Sequence, residues 1–373
     1  MSVNHLKRLL LAFVLFLAAT PLDVFAEDDG ASFHVYLPSR HGNGVQTFQA
    51  AERGNGLALK STGTIDLGFA ANVIVKHPKL PLLYAGGFDS KDGTVPGAMI
   101  SLDQSGRHAS HKQITLHHRY CFLSFDRTHR FLLGVDYGGG HVDVFPVDKN
   151  GNVGSRVFAL DEGRKNAHCV FPSPNNRFVY IPYVKDTNAI FQYRFDDHSG
   201  SLTALAPKNA NPPAGTGPRH MAYHPSLPIA YFSNEQHLGV SVYDIADSGQ
   251  LSVRQICDAV PADRSKDGLS SSDLTISPDG RFLFAGIRGH KHDFDWISRY
   301  RIKDDGEVQH LGLTKADKIP WGLTFSPNGK YLLATAFLGE TLTAYEITGD
   351  GDLRKAASVP CDPQIMDVVT AGP

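Results

Sequence analysis

The sequence predicts an all-β fold, a seven-bladed β-propeller built from four-stranded antiparallel blades. The first observation is a turn followed by a strand, a pattern that recurs six times along the chain. The second is the spacing of these copies, 48, 48, 51, 53 and 49 residues, which leaves room for four short strands per copy, as in propeller blades. The third is the length of 373 residues, which holds about seven such units.

Each copy joins a tight-turn signal to an apolar strand. The six copies read HPKLPLLYAGG from His77, FDRTHRFLLGV from Phe125, SPNNRFVYIPY from Ser173, HPSLPIAYFSN from His224, SPDGRFLFAGI from Ser277 and SPNGKYLLATA from Ser326. In the last copy, a hairpin is predicted from residues 322–326 and 331–337. The third and fourth strands are predicted at residues 341–347 and 353–359. Sustained helical periodicity is absent from the sequence after its leader, so very little helix is expected.

The two ends of the chain complement each other. Residues 31–67 contain three strand-like runs without an innermost strand, and residues 364–370 read as a lone strand after the sixth unit. Together they would make the seventh blade. Pairing the N-terminal and C-terminal strands closes the ring and covers strand edges that would otherwise be exposed.

The N-terminus has the pattern of a secretory signal peptide. Lys7 and Arg8 precede an apolar run at residues 9–19, and small residues around Ala26 offer a cleavage point. The apolar run is shorter than the roughly twenty residues that span a bilayer, although an uncleaved anchor is the alternative. The sequence therefore predicts a signal peptide at residues 1–26, one propeller domain at residues 27–373, and a periplasmic or secreted protein.

Charge and cysteine content exclude several classes of function. A formal net charge of −2 does not indicate a protein that binds nucleic acid. No membrane span is expected after signal cleavage. The four cysteines form no CxxC pair, which argues against a zinc ribbon or a thioredoxin-type site. Isolated thiols and disulfides remain alternatives for Cys121, Cys169, Cys257 and Cys361.

The repeat also predicts which residues meet at one mouth of the channel. A hairpin returns its second strand antiparallel to the first, so the start of the first strand and the end of the second share a rim. Positions six before the turn residue are Asn72, Tyr120, His168, Arg219, Ser272 and Trp321. Positions ten after it are Phe88, Asp136, Val184, Glu235, Arg288 and Phe337.

Four of these positions have the composition of an active site. His168, Arg219, Glu235 and Arg288 are predicted catalytic residues, because two planar guanidinium groups suit an anion or a developing oxyanion, and a histidine or a glutamate can act as a base. Substrate contacts are predicted for Asn72, Tyr120, Asp136, His220, Trp321 and Phe337. A channel plug made by an Arg219–Glu235 ion pair is the structural alternative.

Several stretches resemble the seven-bladed propeller lactonases, the group that contains bacterial 6-phosphogluconolactonase and fungal 3-carboxy-cis,cis-muconate lactonizing enzyme. They include YGGGHVDVFPV from Tyr137, AHCVFPSPNNRFVYIPYV from Ala167, GTGPRHMAYHPSLPIAYFSNE from Gly215, SSSDLTISPDGRFLFAGIRGH from Ser270 and GLTFSPNGKYLLATA from Gly322. The resemblance implies catalytic or binding roles at the positions already selected, namely His168, Arg219, Glu235 and Arg288.

The resemblance further implies a lactonase that works without a metal or another cofactor. The sequence departs from the family at Asn166, where a histidine is frequent, and at Asp136, where asparagine is common. A cytoplasmic phosphosugar lactone is also a poor match for an exported enzyme. A sugar lactone or a carboxylated lactone, anionic in character, is therefore the expected substrate, and the choice of general base between His168 and Glu235 stays open.

Three other readings remain. A muconate-type cycloisomerase would use the same groups to close a lactone ring. A non-catalytic propeller would serve as a binding platform. A metal-dependent enzyme would need rim ligands, for which the sequence offers Asp136 and Glu235 or the spacing His290, His292 and Asp293.

Overall fold

The computed structural model describes residues 31–54, 56–90, 92–260, 265–291 and 295–372, so the predicted signal peptide at residues 1–26 lies outside the described part of the chain. Within these ranges the chain forms seven four-stranded antiparallel sheets and a single 3₁₀ turn, Lys185–Thr187. The predicted all-β, seven-bladed architecture is confirmed.

The strands follow the repeat in order. β1 (Ser32–Pro38), β2 (Gly44–Arg53) and β3 (Gly56–Asp66) belong to blade 7. Blade 1 contains β4 (Ala71–Lys76), β5 (Leu82–Gly87), β6 (Val95–Leu102) and β7 (His108–Leu116); blade 2 contains β8 (Tyr120–Phe125), β9 (Phe131–Asp136), β10 (Val142–Pro146) and β11 (Phe158–Leu160). Blade 3 contains β12 (Phe171–Pro172), β13 (Phe178–Tyr183), β14 (Ala189–Phe195) and β15 (Leu202–Asn209).

The second half of the ring repeats this order. Blade 4 contains β16 (Pro218–Tyr223), β17 (Ile229–Asn234), β18 (Gly239–Ile245) and β19 (Leu251–Asp258). Blade 5 contains β20 (Leu269–Ile276), β21 (Phe282–Gly289), β22 (Asp295–Ile302) and β23 (Val308–Ala316). Blade 6 contains β24 (Pro320–Phe325), β25 (Tyr331–Ala336), β26 (Thr341–Ile347) and β27 (Leu353–Pro360), and β28 (Val369–Ala371) returns to blade 7.

The ring is closed by the two ends of the chain, as predicted. β28 pairs antiparallel with β1, with Tyr36 opposite Val369 and His34 opposite Ala371. This C-terminal strand is shorter than the predicted run of residues 364–370. Gln364 adopts a φ of 61°, a left-handed conformation that a strand cannot contain, so extended pairing begins only further along.

The hydrophobic core consists of seven clusters, each between two neighbouring blades. Between blades 6 and 7, for example, Leu333 packs with Phe48 and with Ile365 from the closing segment. Tyrosine hydroxyls add polar links between blades. The hydroxyl of Tyr84 in blade 1 donates to the carbonyl of Gly151 in blade 2 at 2.7 Å. The contact between each pair of blades therefore combines apolar packing with directional bonds.

The repeated turns are closed by the side chain that begins them. Nδ1 of His77 accepts from the backbone N–H of Leu80 at 2.9 Å, and Oγ of Ser277 accepts from the N–H of Phe282 at 2.9 Å. These bonds satisfy backbone donors that the turn would otherwise leave unpaired. The recurring His or Ser before proline is thus explained by the structure of the turn.

The cysteines are free thiols in the structure. Burial raises the pKa of Cys121 to about 12, and it raises that of the fully buried Cys169 well above its usual value. At neutral pH these two side chains therefore remain protonated. Among the residues that the structure describes, none belongs to a helix long and apolar enough to cross a membrane.

Candidate active site

One channel mouth collects the first residues of inner strands and the last residues of second strands. Tyr120 lies opposite Asp136 in blade 2, and Ser270 lies opposite Arg288 in blade 5. The Tyr120–Asp136 pair has the predicted register, whereas the partner of Arg288 is Ser270 and not the predicted Ser272, because the register of blade 5 is shifted by a bulge. Side chains far apart in sequence consequently converge at this mouth.

Irregularities in the inner strands turn additional side chains toward the channel. In blade 4 the register shifts between Pro218 and Met221, and in blade 5 it shifts between Ser271 and Leu274. A bulge inserts residues that lie outside the regular pairing and re-aims their side chains. The residues next to the predicted rim positions therefore join the site as well.

The mouth contains a cavity of about 590 Å³, a size suited to a small organic molecule. Among the predicted residues, its wall includes Asn72, Asp136, His168, His220, Glu235, Arg288 and Trp321. The lining mixes charged groups with aromatic and apolar side chains. Such a combination can bind an anionic or strongly polar ligand and orient it against a flat apolar surface.

Glu235 bridges the two predicted arginines. Its Oε2 lies 3.0 Å from Nε of Arg219 and 3.3 Å from Nη2 of Arg288, and Nη2 of Arg288 also donates to the carbonyl of Ser271 at 2.7 Å. The contact with Arg219 is an ion pair without the alignment of a hydrogen bond. Burial, followed by the charge of Arg219, lowers the pKa of Arg288 to about 10, so Arg288 is still a cation at neutral pH.

Arg219 lies behind the cavity wall. Its side chain is fully buried, and its terminal Nη1 and Nη2 atoms have no hydrogen-bond partner in the structure. The guanidinium carbon of Arg219 lies 5.5 Å from the centroid of the Trp321 ring, and that of Arg288 lies 4.6 Å from it. Phe337 stacks on the Trp321 ring at 4.8 Å, outside the cavity wall. Arg219 therefore acts on the cavity through Glu235 and through its charge.

His168, His220 and Asp273 form a chain of polar contacts across blades 3, 4 and 5. Nδ1 of His220 lies 2.6 Å from Oδ1 of Asp273, and Nε2 of His220 lies 3.2 Å from Nδ1 of His168. Both oxygens of Asp273 also accept backbone N–H groups, from Leu274 and Leu323, each at 2.8 Å. The Asp273 carboxylate is therefore held in place at both of its oxygens.

This chain assigns the protons of the two imidazoles. Because an ionised carboxylate only accepts, the proton of His220 resides on Nδ1, and its Nε2 accepts from Nδ1–H of His168. Nε2 of His168 is then the unprotonated nitrogen. Burial, with the charge of Arg219 as the next cause, lowers the pKa of His168 well below its usual value and lowers that of His220. His168 is therefore neutral and able to accept a proton at neutral pH.

A second carboxylate in the wall comes from the closing segment. Asp367 accepts the N–H of Ile74 on Oδ2 at 2.9 Å and the N–H of Val368 on Oδ1 at 2.8 Å. Burial, with the nearby charge of Asp273, raises the pKa of Asp367 to about 7. The cavity thus contains a carboxyl group that changes charge near neutrality.

The remaining predicted residues have structural contacts. Tyr120 is buried between blades 1 and 2, outside the cavity wall, and its hydroxyl donates to Asp143. Asp136 accepts the N–H groups of Gly138 and Gly139 at 3.0 and 2.6 Å, which closes the loop that follows β9. Asp136 therefore shapes the cavity wall as well as lining it.

Several lining residues were not predicted from the sequence. Asp273 directly follows the predicted rim position Ser272, as His220 follows Arg219, so reading two consecutive residues at each inner strand would have found it. Other lining residues come from segments outside the repeat and include Arg40, Arg119, Lys185 and Asp367. These loops differ between blades, so the repeat does not predict which of their residues line the cavity.

Some of the possible metal ligands line the cavity, namely Asp136, Glu235 and His290. His290 lines the cavity, but its predicted partners His292 and Asp293 fall outside the described residues. Within the described ranges, the one cluster of three potential ligand atoms is formed by Asp196, Asp197 and His198. It lies at the turn between β14 and β15 and does not line the cavity.

Comparison with known proteins identifies a family. Residues 34–369 match the family described as Lactonase, 7-bladed beta-propeller. The chain is 30% identical to a 6-phosphogluconolactonase of Pectobacterium carotovorum over 326 residues, which cover 87% of this chain and 94% of that protein. It is 33% identical to a 6-phosphogluconolactonase of Cronobacter sakazakii over 233 residues, 62% of this chain and 67% of the relative.

The same fold occurs in a solved structure from Pseudomonas aeruginosa, the periplasmic gluconolactonase PpgL. The two chains superpose with a TM-score of 0.76 at 20% sequence identity, over 92% of this chain and all of that one. At this identity the likeness concerns the architecture of the ring and its blades.

Proposed function

The chain belongs to the family of seven-bladed β-propeller lactonases, and we propose that it hydrolyses a sugar lactone or a carboxylated lactone in the cavity described above. One observation carries the proposal. The buried cation Arg288, which contacts Glu235, faces the same cavity as His168, whose unprotonated Nε2 can accept a proton. Lactone hydrolysis needs these two functions together, a base for water and a cation for the oxyanion.

His168 is the proposed general base. Its Nε2 takes a proton from water as the water oxygen bonds to the lactone carbonyl carbon. The Glu235 carboxylate is less suited to this role, because its Oε2 is already shared by two guanidinium groups and its Oε1 accepts from Nε2 of Gln236 at 3.2 Å. Asp273 and His220 are positioning residues that keep the base in one tautomer.

Arg288 is the proposed donor to the tetrahedral oxyanion. When the intermediate collapses, the ring C–O bond breaks, and the proton held by His168 passes to the departing alkoxide oxygen. The immediate products are a carboxylic acid and a free hydroxyl group, and the proton that His168 took from water ends on that hydroxyl. The acid then ionises and releases the proton that a pH-stat records. Removing one oxyanion donor typically lowers turnover about a hundred- to thousandfold, which is the effect expected for Arg288→Ala.

Substrate class and location form part of the proposal. The names of the two relatives and of the structural neighbour support a sugar lactone, and the neighbour's name supports a location outside the cytoplasm. We propose a periplasmic or secreted enzyme that is released from its leader after residue 26 and works without a metal. N-terminal sequencing of protein recovered from the periplasm tests the cleavage, and activity retained after dialysis against a chelator tests the independence from metal.

A pH-stat screen of the mature protein against aldonolactones and carboxylated lactones tests the reaction. The expected result is proton release above the spontaneous rate with at least one class, lowered about a hundredfold or more in His168→Ala and Arg288→Ala. Spontaneous rates alone with every lactone would refute the proposal. Incubation with a muconate, followed by its ultraviolet absorption, tests the cycloisomerase alternative in parallel.

A further inference from the structure

Two arginines flank one aromatic ring at a separate part of the cavity wall. Arg40 lies in the loop between β1 and β2, and Arg119 lies directly before β8. Their guanidinium carbons are 4.6 and 4.8 Å from the centroid of the Phe88 ring. Nε of Arg40 donates to Oδ1 of Asn72 at 2.8 Å, which fixes the direction of that side chain.

Among the residues that the structure describes, no carboxylate forms an ion pair with either arginine. Within the described ranges, neither Arg40 nor Arg119 has an acidic group within ion-pair distance, whereas Glu235 bridges Arg219 and Arg288. Burial and the neighbouring charge of Arg119 lower the pKa of Arg40 to about 10, so Arg40 remains a cation at neutral pH. Two like charges held together without a counter-ion repel each other, and a bound anion would relieve that repulsion.

Ring order places this pair across the mouth from Arg288. Arg40 comes from blade 7, Phe88 from blade 1, and Arg119 from the entry to blade 2, whereas Glu235 and Arg288 come from blades 4 and 5. In a ring of seven blades these two groups lie on opposite sides. A ligand that reaches both would place one polar end at each, with its ring between them.

We propose that Arg40 and Arg119 form a second anion subsite, which binds a carboxylate or phosphate group carried by the lactone at the end opposite its reacting ester. This inference rests on the proposed function and narrows its substrate class to anionic lactones. The planar forks of two arginines suit the oxygens of either group. The overall charge of the chain is −2, so the positive character of this wall is a local feature.

Three matched lactones test the subsite. They are a neutral aldonolactone, the same compound phosphorylated at its terminal hydroxyl, and an aldarolactone with a terminal carboxylate. Arg119→Gln and Arg40→Gln are expected to raise KM for the charged lactones about ten- to a hundredfold, as expected for a lost hydrogen bond to a charged group, and to raise KM for the neutral lactone much less. The phosphorylated and carboxylated compounds reveal which anion is preferred.

Arg107→Gln is the matched control, since Arg107 is exposed in the turn between β6 and β7 and does not line the cavity. Equal effects of Arg119→Gln on charged and neutral lactones would overturn the proposal.

Calorimetric binding of the three ring-opened acids separates the subsite from the reaction. If no lactone is hydrolysed but the two acids that carry a second anionic group bind wild type better than Arg119→Gln, the subsite stands and the proposed function fails. Equal binding of these two acids by the two proteins refutes the subsite.

Discussion

Nδ1 of His220 lies 2.6 Å from Oδ1 of Asp273, and this contact determines which nitrogen of His168 is free to accept a proton. The three residues come from three consecutive blades, so the assignment of protons depends on how the blades are packed. A histidine oriented by a carboxylate through a second imidazole retains one tautomer without itself carrying a charge. Such a group is suited to act as a base at neutral pH.

Asp273→Asn should remove the constraint that holds His220 and His168 in one tautomer. An amide can donate as well as accept, so His220 can adopt the other tautomer and present a proton to His168. We expect kcat for the accepted lactone to fall about 10²- to 10⁴-fold with little change in KM. Asp247→Asn, in an exposed turn between β18 and β19, is the control. Unaltered kcat in Asp273→Asn would contradict the assigned role.

The pH profile should reflect the lowered pKa of His168. Because burial and the charge of Arg219 favour the neutral imidazole, the base remains unprotonated at pH values where an ordinary histidine, with a pKa near 6.5, is half charged. The acid limb of kcat/KM should therefore lie below pH 6.5. Arg219→Met removes one cause of the shift and should move the limb to higher pH. A wild-type limb at or above pH 6.5 would disagree with this picture.

Glu235→Gln should destabilise the fold as well as the reaction. It leaves Arg219, fully buried, and Arg288, largely buried, without their shared counter-ion. Removing one partner of a buried ion pair costs about 3–5 kcal/mol, to be measured as a lower free energy of unfolding in denaturant. The double variant Glu235→Gln with Arg219→Met should recover part of that loss. Additive losses in the double variant would show that the charges are not coupled.

Asp367 should make stability depend on pH. Its folded-state pKa of about 7 lies above the unfolded value of 3.8, so between these values the folded chain binds the extra proton. Stability from this group is complete below about pH 4 and is lost as the pH rises through 7. Asp367→Asn cannot ionise, so the melting temperature of the variant relative to wild type should be higher at pH 8 than at pH 5. A difference that does not change with pH would exclude the raised pKa.

Removal of residues 362–373 should prevent stable folding. The segment carries the buried side chains Ile365, Val368 and Ala371, and without it β1 loses its partner β28. Each large apolar side chain left unburied costs about 1.5–3 kcal/mol, and the exposed strand edge invites aggregation. The expected result is insoluble protein or a strongly lowered melting temperature. A soluble truncated chain that melts like the full-length protein would contradict closure by these strands.

The sequence predicted the ring because its turns repeat at a fixed interval, and a fixed interval also sets which residues share a rim. That reasoning placed His168, Glu235 and Arg288 at one mouth, where the structure has its cavity. It did not identify Asp273, because a bulge, which the repeat does not encode, turns the next residue inward. Tyr120 follows the repeat but points between blades, since alternate side chains of a strand face opposite sides.

Loops and termini were beyond this kind of prediction for a different reason. Arg40 and Arg119 lie outside the strands that repeat, and their meeting on the Phe88 ring depends on how blade 7 closes against blade 1. Long-range contacts of this sort are properties of the closed ring. Composition and spacing along the chain carry no information about them.

The position of Asp367 beside β28 ties closure of the ring to completion of the cavity wall. The segment that follows blade 6 provides both the strand that closes the circle and a carboxyl group in the wall of the chamber at the channel mouth. A molecule whose ends have not yet met therefore lacks a finished chamber, however well its other blades are formed. Binding of a ligand in this chamber would accordingly report that the ring has closed.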